Sequence, residues 1–232
     1  MRLEGVGWAP DGDPIVRDLD LALRDGAITA IVGSSGCGKS SLLRLVAGLR
    51  APDTGRVVGV PARRAFVFQD PALLPWLDLR ANVALPGRFG PIGDVDGAIA
   101  RLGLAPHAHK LPGALSGGQQ MRASLARALA AGAELVLLDE AFAALDGITR
   151  RAVQRVFLDL AETERWTVVL VTHELEDAVL LSDRVLAVAG PPLRVVADVP
   201  VPLARPRDLH DPSAGPLAAR LERALQQAHA AG

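Results

Sequence analysis

Cysteine occurs once in 232 residues, at Cys37, so no internal disulfide can form and the chain suits a reducing compartment. Basic excess is also missing. The 25 basic side chains face 26 acidic ones, for a formal net charge of -1. That balance gives no electrostatic reason to hold nucleic acid tightly. Long apolar runs are absent: the longest, such as Leu135 to Leu138, fall far short of the ~20 residues a membrane helix needs. The start, Met1-Arg2-Leu3-Glu4-Gly5, is no signal core. A membrane role therefore requires a partner chain. Lysine is almost lacking too, with Lys39 and Lys110 its only occurrences. What remains is half apolar and 22% charged. This is the balance of a globular domain, or of one domain with a small inserted lobe.

Short Val/Ile/Leu runs predict strands buried on both faces: 27–32, 65–68, 135–138, 167–171 and 185–188. Helical patterns alternate with them at 39–49, 117–131, 149–164 and 174–181. This order points to a parallel sheet covered by helices. The stretch 70–115, rich in proline and glycine, reads as part of an inserted, mostly helical lobe. After the prolines at 200, 202 and 206, a last helix carries Leu217, Leu221 and Leu225 on one face, packed on the parent domain.

The strongest local signal is GSSGCGKSS at 33–41, which follows a strand and opens a helix. Gly33, Gly36 and Gly38 allow tight backbone approaches. The loop amides and the helix N-terminus face a polyphosphate there. Lys39 offers a point charge to the β- and γ-phosphates, and Ser40 a hydroxyl to Mg²⁺. In LVLLDE at 135–140 a strand delivers two acids: Asp139, suited to Mg²⁺ through water, and Glu140, suited to polarise an attacking water. The acids alone also fit a solvated strand end. LSGGQQ at 115–120 places Ser116 and Gln119 at capping-box spacing. Gly117 and Gly118 cost roughly 1 kcal/mol each in a first turn, and a plain cap has no need of them. Near an anion they let backbone amides approach. His173, after a strand, suits a γ-phosphate oxygen or a structural role. Gln69, also after a strand, suits Mg²⁺, the attacking water, or an ordinary loop. Ligands of open α/β sheets bind at the carboxyl ends of strands, and the loop from Gly33, Gln69, Asp139-Glu140 and His173 each follow a strand.

In this order the residues resemble the ATP-binding cassette family over nearly the whole chain. Walker A lies at 33–40, the Q-loop at Gln69, the signature at Leu115 to Gln119, Walker B at 135–140, the D-loop at Ala144-Leu145-Asp146 and the switch at His173. The signature is the specific element, since Walker A alone admits many NTPases. FVFQDPALLPW at 66–76, RANVAL at 80–85 and ADVPVPLARPRD at 197–208 are similar to the nitrate, sulfonate and taurine importer group.

The resemblance implies a P-loop NTPase fold: a mostly parallel α/β sheet, a small N-terminal antiparallel β part, a core of 1–69 and 132–232, and a helical lobe at about 70–131. It implies an ATPase using ATP and Mg²⁺ on the cytoplasmic face of a membrane. Two copies pair head to tail on separate permease subunits, fed indirectly by a solute-binding protein. Gly33, Ser34, Ser35, Gly36, Cys37, Gly38, Lys39, Ser40 and Ser41 then cradle the phosphates of one ATP. Ser116, Gly117, Gly118 and Gln119 of the other copy close over it, with Asp146 at the seam. Trp8, two residues from the ungapped position at Pro10, stacks on adenine or packs in the core. Leu73, Leu74, Pro75 and Trp76 form part of the permease contact. An exporter subunit or a non-transport ABC ATPase is the alternative, although no fused membrane segment, tandem cassette, coiled-coil arm or zinc site is seen. Three departures stand out: Ala141 after Glu140 where the family has proline, Ser41 for threonine, and Gln120-Met121 for a more basic pair.

Overall fold

The computed structural model describes residues 1–205, 207 and 214–230. In chain order, β1 (Arg2–Trp8), β2 (Val16–Ala22), β3 (Ile28–Val32), α1 (Lys39–Val46) and β4 (Thr54–Val58) come first. Then follow β5 (Arg64–Phe68), α2 (Leu79–Ala84), α3 (Val95–Arg101), α4 (Gly117–Ala130), β6 (Leu135–Asp139) and α5 (Gly147–Thr163). The chain closes with β7 (Thr167–Thr172), α6 (Leu175–Leu181), β8 (Arg184–Ala189), β9 (Arg194–Pro200) and α7 (Ala214–Ala230). Single 3-10 turns lie at Leu85–Arg88, Ala105–His107 and Pro112–Ala114. Contacts divide the chain into two compact units, Met1–Val60 with Thr167–Gly232, and Pro61–Trp166.

In the first unit β1 pairs antiparallel with both β2 and β4, forming a small N-terminal sheet. β3 lies between β7 and β8, parallel to each, and β9 runs antiparallel on β8. Every residue of β3 and of β7 is buried, as expected of strands covered on both faces. The five parallel-sheet strands anticipated from apolar runs are all present, each within a residue or so of its expected ends. β9 was not anticipated. The prolines from Pro200 onward read as a tail, yet Arg184 of β8 grips Asp198 of β9 through two bonds of 2.7 and 2.6 Å. Pro206 and Asp208 of the expected 197–208 signature lie outside the described residues. α1 stops at Val46, not Leu49. The chain turns left-handed at Gly48 (φ 69°), and the amide of Leu49 bonds back to the Arg44 carbonyl at 2.9 Å. α7 packs on α6, β8 and β9, with Leu221 fully buried.

In the second unit β5 and β6 are parallel partners. Between them the chain forms helices and no strand. α2 and α3 pack on each other and on α4, over buried Leu79, Val83, Ile99, Met121 and Leu125. α5 also packs on α4, with Phe157 fully buried. Asn82 is completely buried inside α2, and both ends of its amide are hydrogen-bonded. It accepts from Leu74 N at 2.7 Å and donates to the carbonyls of Leu74, Leu77 and Asp78. One side chain thereby fixes the turn that precedes α2. Among the described residues no helix is long and apolar enough to cross a membrane.

Candidate active site

The first unit holds the glycine-rich loop between β3 and α1. Lys39 is buried, and its ammonium donates to the carbonyls of Gly33 and Ser34, each at 2.8 Å. The loop is thereby curled around its own cation. Gly38 sits at φ 104°, and a Cβ there would fall 2.9 Å from Ile15 Cγ2, so only glycine fits. Among the described residues no side chain caps the N-terminus of α1, which points its amides at the loop. At Gly36 (φ 81°) open space lies beyond the backbone. These are the features a polyphosphate needs. Cys37 is fully buried, with its amide donating to Ser34 O at 3.4 Å and its sulfur 4.0 Å from the Lys39 ammonium.

His173 follows β7 directly. In the β3–β7 register Val32 lies opposite Thr172, so the phosphate loop and His173 leave neighbouring strands at the same end. Its Nε2 is 3.4 Å from Glu174 Oε1, and the Glu174 amide donates to Thr172 Oγ1 at 3.0 Å. Trp8, half-buried at the end of β1, accepts a bond from Ile15 N at 2.9 Å. Ile15 is the residue against Gly38, so Trp8 stands one strand pairing from the loop.

The second unit holds the other chemistry. Phe68 lies opposite Asp139 in the β5–β6 register, so Gln69 and Glu140 leave neighbouring strand ends side by side. Glu140 sits at φ 49°, an uncommon backbone region for a residue with a side chain. Such outliers cluster at functional sites. Its carbonyl accepts from Ala143 N at 3.0 Å, closing a turn in which Ala141 is buried in place of the family's proline.

Ser116 is the N-cap of α4 in a complete capping box. Gln119 N donates to Ser116 Oγ at 3.3 Å, and Ser116 N donates to Gln119 Oε1 at 2.9 Å. The two glycines separate in role. A Cβ on Gly118 would meet Thr149 Cγ2 of α5 at 2.3 Å, so Gly118 serves helix packing. Gly117 is exposed, with its nearest neighbour, Leu145 Cδ2, 3.5 Å from such a Cβ. Asp146 caps α5, accepting from Ile148 N at 3.1 Å and Thr149 N at 3.0 Å. The Thr149 side chain, then these amides, hold its carboxyl below the usual carboxylate range. Signature and D-loop are thus joined through Thr149, a link the sequence spacing did not reveal.

A third feature was not anticipated. Arg127 of α4 donates to the carbonyls of Pro71 and Ala72 at 3.0 and 3.1 Å, just past Gln69. Its burial lowers the guanidinium pKa. Arg127 also lines a groove of about 900 Å³ with Arg64, Phe66, Pro86, Phe89 and Ile92. None of Leu73, Leu74, Pro75 and Trp76 lines that groove, although Trp76 is 72% exposed.

A family model described as ABC transporter matches residues 16–143, more than half of the chain. The chain belongs to the ATP-binding cassette transporter family. As a cassette ATPase it binds ATP and hydrolyses it to energise transport. It is 41% identical, over 94% of its length and 92% of theirs, to the aliphatic sulfonates import ATP-binding protein SsuB 1 of Pseudomonas savastanoi pv. phaseolicola. It is 44% identical to the SsuB 1 protein of Streptomyces avermitilis, over 95% of this chain and 84% of that one. Among solved structures it is similar to a dimeric ATP-binding cassette in a post-hydrolysis state with ADP and phosphate. The TM-score is 0.73 at 26% identity, covering 88% of this chain and 99% of that one. The cassette fold, a mostly parallel sheet flanked by helices with a small antiparallel sheet at the N-terminus, also matches cbiO1 of Clostridium perfringens. There the TM-score is 0.76 at 21% identity, covering 97% of each chain.

Proposed function

We propose that this cassette energises uptake of an aliphatic sulfonate, working as a head-to-tail homodimer on a separate permease at the cytoplasmic face of the membrane. The import names of relatives 41% and 44% identical over almost the full chain support that solute and that direction. A solute-binding protein delivers the sulfonate to the permease. We take the chain as one functional domain, core 1–69 and 132–232, with a helical lobe at about 70–131.

The observation that carries the mechanism is the pairing of strand ends: phosphate loop beside His173 in one unit, Gln69 beside Asp139-Glu140 in the other. Lys39 exchanges its loop carbonyls for phosphate oxygens, while the amides of Gly33 to Ser41 hold the polyphosphate. Trp8 stacks on the base. Glu140 accepts a proton from the attacking water, and Gln69 and His173 orient water and γ-phosphate. Ser40, Asp139 and Gln69 supply oxygen donors for Mg²⁺, which when bound neutralises charge on the β- and γ-phosphates. Among the described residues no group of three or more His, Cys, Asp or Glu could hold a metal alone. Mg²⁺ binds through one or two protein oxygens, phosphates and water. Ser116, Gly117 and Gly118 of the partner copy close over the γ-phosphate, with Gln119 bracing the cap and Asp146 at the seam.

The groove beside Arg127 is the surface offered to the permease. Phe89 stands 86% exposed at its edge, and Arg127 reaches from it to the segment after Gln69. The test is ATPase activity of the complex reconstituted with its permease and binding protein. A short alkanesulfonate should stimulate turnover several-fold. Stimulation by nitrate and not by the sulfonate would overturn the solute assignment.

A further inference from the structure

Gln119 makes contacts in two directions, and together they fix which way its amide points. Ser116 N is a donor, so the Gln119 atom 2.9 Å away is the carbonyl oxygen Oε1. The other end of the amide, Nε2, is therefore the NH₂ group. It lies 3.0 Å from Nε2 of His107, in the 3-10 turn before the signature. Two donors cannot share that distance, so His107 Nε2 accepts. The ring is then neutral, with its proton on Nδ1. Nδ1 is buried and has no hydrogen-bond partner among the described residues, although buried polar atoms are nearly always paired. The arrangement leaves one ring nitrogen unmet in order to present the other as an acceptor.

We propose that His107 is a positioning residue for the signature: its Nε2 holds the Gln119 amide in the one orientation that closes the capping box on Ser116. Without that acceptor Gln119 is free to turn over. Its NH₂ group then faces the Ser116 N–H, two donors oppose each other, and the box opens. Ser116 and Gly117 are both exposed at the tip of α4, so the effect falls on what that tip can grip. The inference rests on the reading that the tip closes on nucleotide held by a second copy.

The experiment measures ATP-driven dimerisation of the full chain in a Glu140→Gln background, alongside nucleotide affinity of the monomer and the thermal midpoint. His107→Leu keeps bulk and removes the acceptor. His107→Gln places an amide oxygen near the former Nε2, and His107→Asn withdraws the acceptor by about one bond without adding apolar surface. The expected result is ~10-fold more ATP needed for half-dimerisation in the Leu and Asn variants, recovery in the Gln variant, and unchanged monomer affinity. In a Gln119→Leu background, His107→Leu should add nothing further, since the two act in series. Ser116→Arg is the control. If that variant fails to dimerise while His107→Leu and His107→Asn behave as wild type, the positioning role is wrong and the clasp between copies stands. Equal loss in the Leu, Asn and Gln variants also overturns the role, because shape and not the acceptor would then matter. If Ser116→Arg still dimerises, the clasp fails and the inference with it.

Discussion

Lys39 is one of two lysines in the chain, and its ammonium rests on two loop carbonyls at 2.8 Å. On the proposed reading, that ammonium leaves the two carbonyls for phosphate oxygens, so the loop trades internal bonds for ligand bonds when nucleotide arrives. Glu140 is prepared in a different way, by a left-handed backbone at φ 49° directly after its strand. Strain of this kind persists only where the surroundings hold it. On the proposed reading, Glu140→Gln keeps that backbone and removes only the base. Hydrolysis should slow ~10²-fold or more with ATP affinity unchanged, measured by phosphate release and equilibrium binding. Turnover at the wild-type rate would remove Glu140 from the role. At this scale the motifs were legible because phosphate chemistry needs particular residues at fixed spacing. The partners that orient them were not. Arg127 on Pro71 and Ala72 spans 56 and 55 positions, and His107 on Gln119 spans 12; neither spacing belongs to a local pattern.

α4 and the start of α5 meet closely at Gly118. Glycine in a helix costs roughly 1 kcal/mol relative to alanine, so Gly118→Ala should stabilise an isolated α4. In the folded unit the added Cβ falls 2.3 Å from Thr149 Cγ2. Thr149 is β-branched and stiff, and its side chain helps hold Asp146, so it does not rotate away freely. Overpacking of this kind costs about 1–3 kcal/mol and outweighs the helical gain. Gly118→Ala should therefore lower the denaturant midpoint, and the same change in a Thr149→Ser background should be neutral or stabilising. Destabilisation persisting with serine would show that the glycine is kept for another reason. The strands of the parallel sheet were readable from apolar runs because burial on both faces leaves an unbroken Val/Ile/Leu signature. β9 was hidden because its burial is patchy and its closing Pro200 marks an edge as readily as a tail. The helical pattern running to Leu49 overshoots the end of α1 because a left-handed turn at Gly48 closes the helix first.

For the whole molecule, each unit carries neighbouring strand ends with complementary chemistry, and α4 carries an exposed serine-glycine tip that its own capping box shapes. The tip is preformed, and in the proposed dimer its target is a nucleotide on another copy. The measurement that tests this most directly mixes two disabled chains. Lys39→Ala lacks the phosphate grip and keeps the signature, while Ser116→Arg keeps the grip and lacks the tip. A head-to-tail pair of one of each contains one complete site. With hydrolysis blocked by Glu140→Gln in both chains, labelled ATP should elute with a dimer from the mixture and from neither variant alone. If the mixture holds no more dimer-bound ATP than the separate variants, loop and tip do not meet across two copies, and the proposed mechanism fails.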